Sequence, residues 1–231
     1  LGLKPLGIFI IYGQPRTGSN LLVDLLNAHN LIHCEGGIFH PTKKRVSHPV
    51  RFPKTYIHKL SRIQKKGYYG FKIEPNEWSM YNKENLLDSL TKKGCKIIHI
   101  QRKNSLKQAL SKYVADKTKI YITKRKQNHT KDMTVDVDQV IKMANTFFEN
   151  DKEDECLLSK YNSYSVIYEK HLLNHDKWIA SYEDIFNFLS VPPTCTSTRL
   201  KKIASPSLRD MIKNYDELER KVANTCFAEQ L

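Results

Sequence analysis

GIFIIYGQPRTGSNLLVDLLNAH, Gly7 to His29, runs an apolar stretch through a glycine-bearing turn into an amphipathic one. Gly7 to Tyr12 reads as a buried strand and Ser19 to His29 as an amphipathic helix, joined by Gly13 to Gly18. A turn of this kind leaves backbone N–H groups unpaired at the start of a helix. The helix dipole favours negative charge at the same place, so the turn is a seat for phosphate or a similar anion.

Working outward, the same alternation continues. Tyr68 to Ile73 and Lys96 to Gln101 read as further strands, the second introduced by a helical segment, Glu84 to Lys93, and the turn residue Gly94. Leu106 to Tyr121 reads as a helix, and after Asp136 the residues Val137, Val140, Ile141, Ala144, Phe147 and Phe148 keep one 3.6-residue face. Trp178 to Ser181 reads as a last short strand, followed by a helical patch, the Pro192-Pro193 break and a final helix near Ser207 to Tyr215. Strands alternating with helices predict an α/β fold with a parallel, doubly wound sheet. Gly36 to Pro53 and Lys117 to Thr134 are basic, polar and aperiodic, and are expected to be surface loops, either able to close over a ligand.

With 231 residues and a 40% hydrophobic fraction, the chain is expected to be one domain, 1–231. Lys and Arg outnumber Asp and Glu by 38 to 24, and the net charge of +14 suits a polyanionic partner: a nucleotide, nucleic acid, acidic glycan or membrane surface. Cys34, Cys95, Cys156, Cys195 and Cys226 are odd in number and scattered, which predicts reduced structural thiols and no metal site. No apolar run approaches the roughly 20 residues that span a bilayer, so a cytoplasmic protein is expected, with an upstream anchor or leader left open because the sequence starts at Leu1.

The spacing Gly13-x-x-x-x-Gly18 is that of a Walker loop, yet Ser19 stands where an NTPase needs Lys and Asn20 where it needs the Mg-binding Ser or Thr. A P-loop kinase is disfavoured accordingly. The turn offers instead the Arg16 guanidinium, the Thr17 and Ser19 hydroxyls and the Asn20 amide, a donor set that grips phosphate or sulfate without a divalent metal. Thr17 or Ser19 is also expected to cap the following helix.

PRTGSNLL after a first strand resembles the 5'-phosphosulfate loop of the sulfotransferase superfamily, whose donor is 3'-phosphoadenosine 5'-phosphosulfate (PAPS). KIIHIQRKNSLKQALSKY resembles that family's 3'-phosphate motif. SLRDMIKNYDEL, Ser207 to Leu218, is similar to the C-terminal stretch of bacterial carbohydrate sulfotransferases of the nodulation-factor and trehalose kinds. The matches touch both ends and the middle of the chain. The resemblance implies a P-loop-like central parallel sheet flanked by helices on both faces. It assigns Arg16, Thr17, Gly18, Ser19 and Asn20 to the phosphosulfate, Arg102 and Ser111 to the 3'-phosphate with Lys103 sharing or taking the arginine's part, and Lys202 of the Lys201-Lys202 pair to the same phosphate. It also implies PAP as product and a hydroxyl-bearing acceptor, a carbohydrate or glycolipid, and no nucleic-acid partner is expected.

Sulfuryl transfer to a hydroxyl needs a base for the acceptor's proton and cations for the moving oxygens. Arg16 is the natural cation, and Lys72 in YGFKIE sits at a strand end where family members also place a lysine. In the bacterial carbohydrate relatives a Glu after the first helix, in a pattern like GEIF, is the usual base. This chain reads HCEGGIFH, so Gly37 stands at that position; Glu35 is the candidate, with the flanking His33 and His40 as alternative bases, since histidine titrates near neutrality. Glu74 and Glu77 are acceptor ligands or plain surface. The other reading is a degenerate, non-catalytic member whose basic loops hold nucleic acid or sulfated glycan.

Overall fold

The computed structural model describes residues 5–40, 49–78, 81–121, 133–173, 178–194, 197–198 and 207–231. Among them, five strands run in chain order: β1 (Gly7–Tyr12), β2 (Ile32–Glu35), β3 (Tyr68–Ile73), β4 (Lys96–Gln101) and β5 (Ser163–Ile167). The α-helices are α1 (Ser19–Asn27), α2 (Pro53–Ile63), α3 (Pro75–Trp78), α4 (Lys83–Thr91), α5 (Ser105–Thr118), α6 (Val137–Leu158), α7 (Trp178–Leu189) and α8 (Tyr215–Val222). The chain forms two compact units, Leu1–Gln101 with Asp154–Thr198, and Arg102–Glu153 with Arg199–Leu231.

The first unit is built on a wholly parallel sheet of order β2-β3-β1-β4-β5. Side-chain alternation along the strands divides its core in two. Ile10, Tyr12, Tyr69, Phe71 and Ile73 meet Tyr56, Ile57 and Leu60 of α2 and Leu86, Leu87 and Leu90 of α4. Phe9, Ile11, Ile98 and Ile100 meet Leu22, Leu25 and Leu26 of α1 and Tyr182, Ile185, Phe186 and Leu189 of α7. Helices therefore cover both faces, the condition that lets a parallel sheet read as continuous apolar runs. β2 and β3 lie on one side of β1 and β4 and β5 on the other, and in open α/β sheets ligands bind at the carboxyl ends of the strands where the order reverses.

The second unit holds α5, α6 up to Glu153, and α8. Its core is Leu106, Ala109, Leu110 and Tyr113 of α5, Val137, Val140, Ala144 and Phe147 of α6, and Leu208, Met211, Ile212, Leu218, Val222 and Phe227.

Two expectations need correction. Trp178–Ser181 is the first turn of α7, not a strand. The buried set Tyr182, Ile185, Phe186 and Leu189 keeps a helical period in the rest of the same helix. The helix expected near Ser207 to Tyr215 starts only at Tyr215. Before it, Leu208, Met211 and Ile212 are buried from turns, with the Lys213 N–H donating to the Met133 carbonyl at 2.8 Å. Lys201 and Lys202, residues 41–48 of the loop at Gly36 to Pro53 and residues 122–132 of the loop at Lys117 to Thr134 lie outside the described residues.

Candidate functional site

The turn after β1 is fixed from below. The Tyr12 hydroxyl donates to Asp154 Oδ1 at 2.5 Å and the Gln14 side-chain amide to Oδ2 at 2.6 Å, all three groups buried. The Gln14 carbonyl in turn accepts from the Thr17 hydroxyl at 2.8 Å, and Thr17 is fully buried. Gly13 passes so close to β4 that a Cβ there would collide with the Ile100 carbonyl oxygen.

Two residues of the turn have left-handed backbone: Arg16 with φ 66 and Gly18 with φ 89. Gly18 suits that region and also leaves room for the Tyr168 ring, which would lie 2.7 Å from an added Cβ. Tyr168 opens a π-helical turn, Tyr168–Leu172, that follows β5. Gly18, not Thr17 or Ser19, is the N-cap of α1, with no side chain capping it and no acidic residue in the first turn. The expectation of a hydroxyl cap fails because the Thr17 hydroxyl is committed to Gln14. The start of α1 is consequently an electropositive end beside the guanidinium-bearing Arg16.

At the end of β3 the buried Lys72 donates to Asn20 Oδ1 of α1 at 2.8 Å and to Glu74 Oε1 at 2.7 Å. Lys72 and Asn20, both expected at the site, are brought together. The Glu74 N–H donates to Glu77 Oε2 at 3.2 Å, and Glu77 is 3% exposed. Glu77 Oε1 lies 2.5 Å from the place a Cβ at Gly37 would take.

Glu35, at the end of β2, accepts from the Tyr69 hydroxyl at 3.3 Å and lies 3.8 Å from His33 Nε2, while His33 stacks on the Tyr69 ring. Burial, with the Glu35 charge beside it, drives the Tyr69 phenol upward from its ordinary value, so it stays a donor. Tyr69 belongs to the core face covered by α2 and α4, whereas Lys72 reaches α1 on the other face. The structure thus leaves Glu35 and Lys72 on opposite faces of the sheet. Glu77, read from the sequence as an acceptor ligand or plain surface, is one of the most buried carboxylates among the described residues. Its signal in the sequence was only its place just past the strand that carries Lys72 near its end.

In the second unit, Arg102 follows β4 and is buried, as is Ser111 on α5. The start of α5 is already dressed by protein groups. Asn104 Oδ1 accepts from the Lys107 N–H at 2.7 Å, and Gln230 Oε1 accepts from the Leu106 N–H at 3.0 Å. An anion at this motif would rest on the Arg102 and Ser111 side chains more than on backbone N–H groups.

Cys34, Cys95, Cys156 and Cys226 are free thiols, and burial pushes Cys95 up to about 12. Among the described residues there is no cluster of metal-ligating side chains and no helix long and apolar enough to cross a membrane.

No family model matches the chain, and no curated protein matches it. Among solved structures it is similar to a sulfotransferase from Alicyclobacillus acidocaldarius, with a TM-score of 0.56 and 12% identity over 99% of this chain and 93% of that one. It is also similar to mouse sulfotransferase SULT7A1 complexed with PAP, with a TM-score of 0.46 and 16% identity over 83% of this chain and 61% of that one. The chain has the sulfotransferase fold, a P-loop-like α/β sheet flanked by helices.

Proposed function

We propose that the protein is a single-domain, PAPS-dependent sulfotransferase that moves a sulfuryl group to a hydroxyl of a carbohydrate or glycolipid-like acceptor. The observation that carries this reading is the turn after β1. It joins an arginine held in the left-handed region to a helix start with neither a capping side chain nor an acidic first turn. An NTPase loop would need a lysine where Ser19 stands, and a turn that offers an arginine instead, without magnesium chemistry, suits a phosphosulfate.

Arg16, Thr17, Gly18, Ser19 and Asn20 hold the phosphosulfate. Arg16 spreads the charge of the moving oxygens, and its removal costs on the order of a hundredfold or more in turnover. Lys72, steered by Asn20, is the second cation near the same oxygens. The 3'-phosphate assignment of Arg102, Ser111 and Lys202 rests on the sequence resemblance. A carbohydrate acceptor rests on the resemblance of Ser207 to Leu218, and a cytoplasmic setting on the free thiols.

Thermal denaturation with PAP, AMP and ATP-Mg tests the donor site. At about a hundred times its Kd, PAP is expected to add about 2.7 kcal/mol, which for a chain of this size raises Tm by roughly 5–10 °C. Arg16→Ala and Arg102→Ala each weaken the effect, and AMP and ATP-Mg give less. Unchanged melting with saturating PAP would falsify the proposal. Greater protection by ATP-Mg would favour a kinase.

A further inference from the structure

Transfer to a hydroxyl releases a proton, and the sequence alone does not settle which group takes it. Three carboxylates stand at the carboxyl end of β2 and β3: Glu35, Glu74 and Glu77. Glu35 is held by Tyr69 on the sheet face opposite Lys72. Glu74 is engaged by the Lys72 ammonium at 2.7 Å. Glu77 differs from both in what surrounds it.

Its Oε1 fills the ground that any side chain at position 37 would need, 2.5 Å from the Cβ position, while a Cβ on the neighbouring Gly36 would meet nothing within 4 Å. Taken ground thus adjoins open ground. Glu77 is also wired to the donor turn. The Glu74 N–H binds its Oε2, the Glu74 carboxylate binds Lys72, and Lys72 binds Asn20 in the first turn of α1. Gly37 and Glu77 are matched: a carboxylate delivered from α3 stands in the space beside residue 37, where a Cβ would have to displace it.

We infer that Glu77 is the general base of the transfer, with Gly37 the residue that admits it. This rests on the sulfotransferase reading. In the step, Glu77 takes the proton of the acceptor hydroxyl as the acceptor oxygen bonds to sulfur. The bond from sulfur to the bridging oxygen breaks, and its electron pair stays on the 5'-phosphate of PAP. The products are PAP, the sulfate ester and a protonated Glu77.

The test uses the full chain with radiolabelled PAPS, following sulfate release to water and transfer to a panel of neutral mono- and disaccharides. It also follows the reverse reaction of PAP with p-nitrophenyl sulfate. Nitrophenolate leaves without a proton, so that reaction makes little demand on a base. Glu77→Gln keeps the acceptor for the Glu74 N–H. It is expected to bind PAP as wild type does, to retain nitrophenyl exchange within a few fold, and to lose transfer to water and sugars by about a hundredfold or more. Glu77→Ala is expected to regain transfer when formate is added, which a structural role would not allow. Gly37→Ala, whose Cβ displaces the carboxylate without removing it, is expected to reproduce the Gln phenotype. Glu77→Gln that transfers to water at the wild-type rate, or Glu77→Ala indifferent to formate, overturns the inference and leaves the sulfotransferase reading standing. A folded wild type that neither binds PAP nor moves sulfate overturns both.

Discussion

Gly18 carries two separable demands, and the turn depends on both. Its φ of 89 costs an L-residue about 1–2 kcal/mol, and the Tyr168 ring at 2.7 Å adds an overpacking cost of about 1–3 kcal/mol for a methyl group. Gly18→Ala is therefore expected to lose roughly 2–5 kcal/mol in urea denaturation. In a Tyr168→Ala background the steric part disappears and only the backbone part stays, so the same substitution costs less there. Equal costs in the two backgrounds would show that the ring is not what Gly18 avoids. Arg16 lives under the same backbone strain at φ 66 without a glycine's freedom. A non-glycine residue held in that region by its surroundings fits the sulfate-gripping role proposed for it.

At the scale of elements, β1, β3 and β4 were legible to the residue because each is a predominantly apolar, β-prone run bounded by turn signals. The edge strands were not: β2 spans four residues with His33 and Glu35 in it, and β5 has Val166 as its one buried residue. An edge strand takes its identity from a partner's backbone, which leaves little trace in its own side chains. For the same reason Lys72 and Asn20 were visible as candidates from their own positions, while Glu77 was not, since its place depends on Gly37 and on Glu74, brought to it by the fold. Asp154 is a plainer case. It sits late in α6, 142 residues from Tyr12 and 140 from Gln14, and binds both. Asp154→Ala strips two buried donors of a charged acceptor, each bond worth about 1.5–3 kcal/mol. The expected loss is about 3 kcal/mol or more, with PAP affinity falling as well, because Gln14 anchors Thr17 through its carbonyl. Urea unfolding and PAP titration of the variant read both effects. Wild-type stability would mean that the two hydrogen bonds are replaced by water at no net cost.

For the molecule as a whole, an architecture similar to that of a bacterial sulfotransferase coexists with 12% identity, while no family model matches. Fold class follows the alternation of strand and helix patterns, which tolerates wholesale exchange of one apolar residue for another. The net charge of +14 is a property of the same scale, and it bears on the choice between an enzyme and a polyanion-binding protein. Binding that rests on counterion release from many phosphates falls about 10³–10⁵-fold between about 50 and about 200 mM salt, whereas a nucleotide seated in a built turn has far fewer charges to release. Titrations at both salt levels are therefore expected to show PAP protection reduced by less than about tenfold, and any affinity for a short DNA duplex falling much more steeply. Duplex binding that persists at the higher salt while PAP protection vanishes would move the function from the turn after β1 to the basic surface. Steep loss of the duplex with PAP retained would make the charge a means of gathering an anionic donor, and leave the selection of that donor to Arg16 and the start of α1.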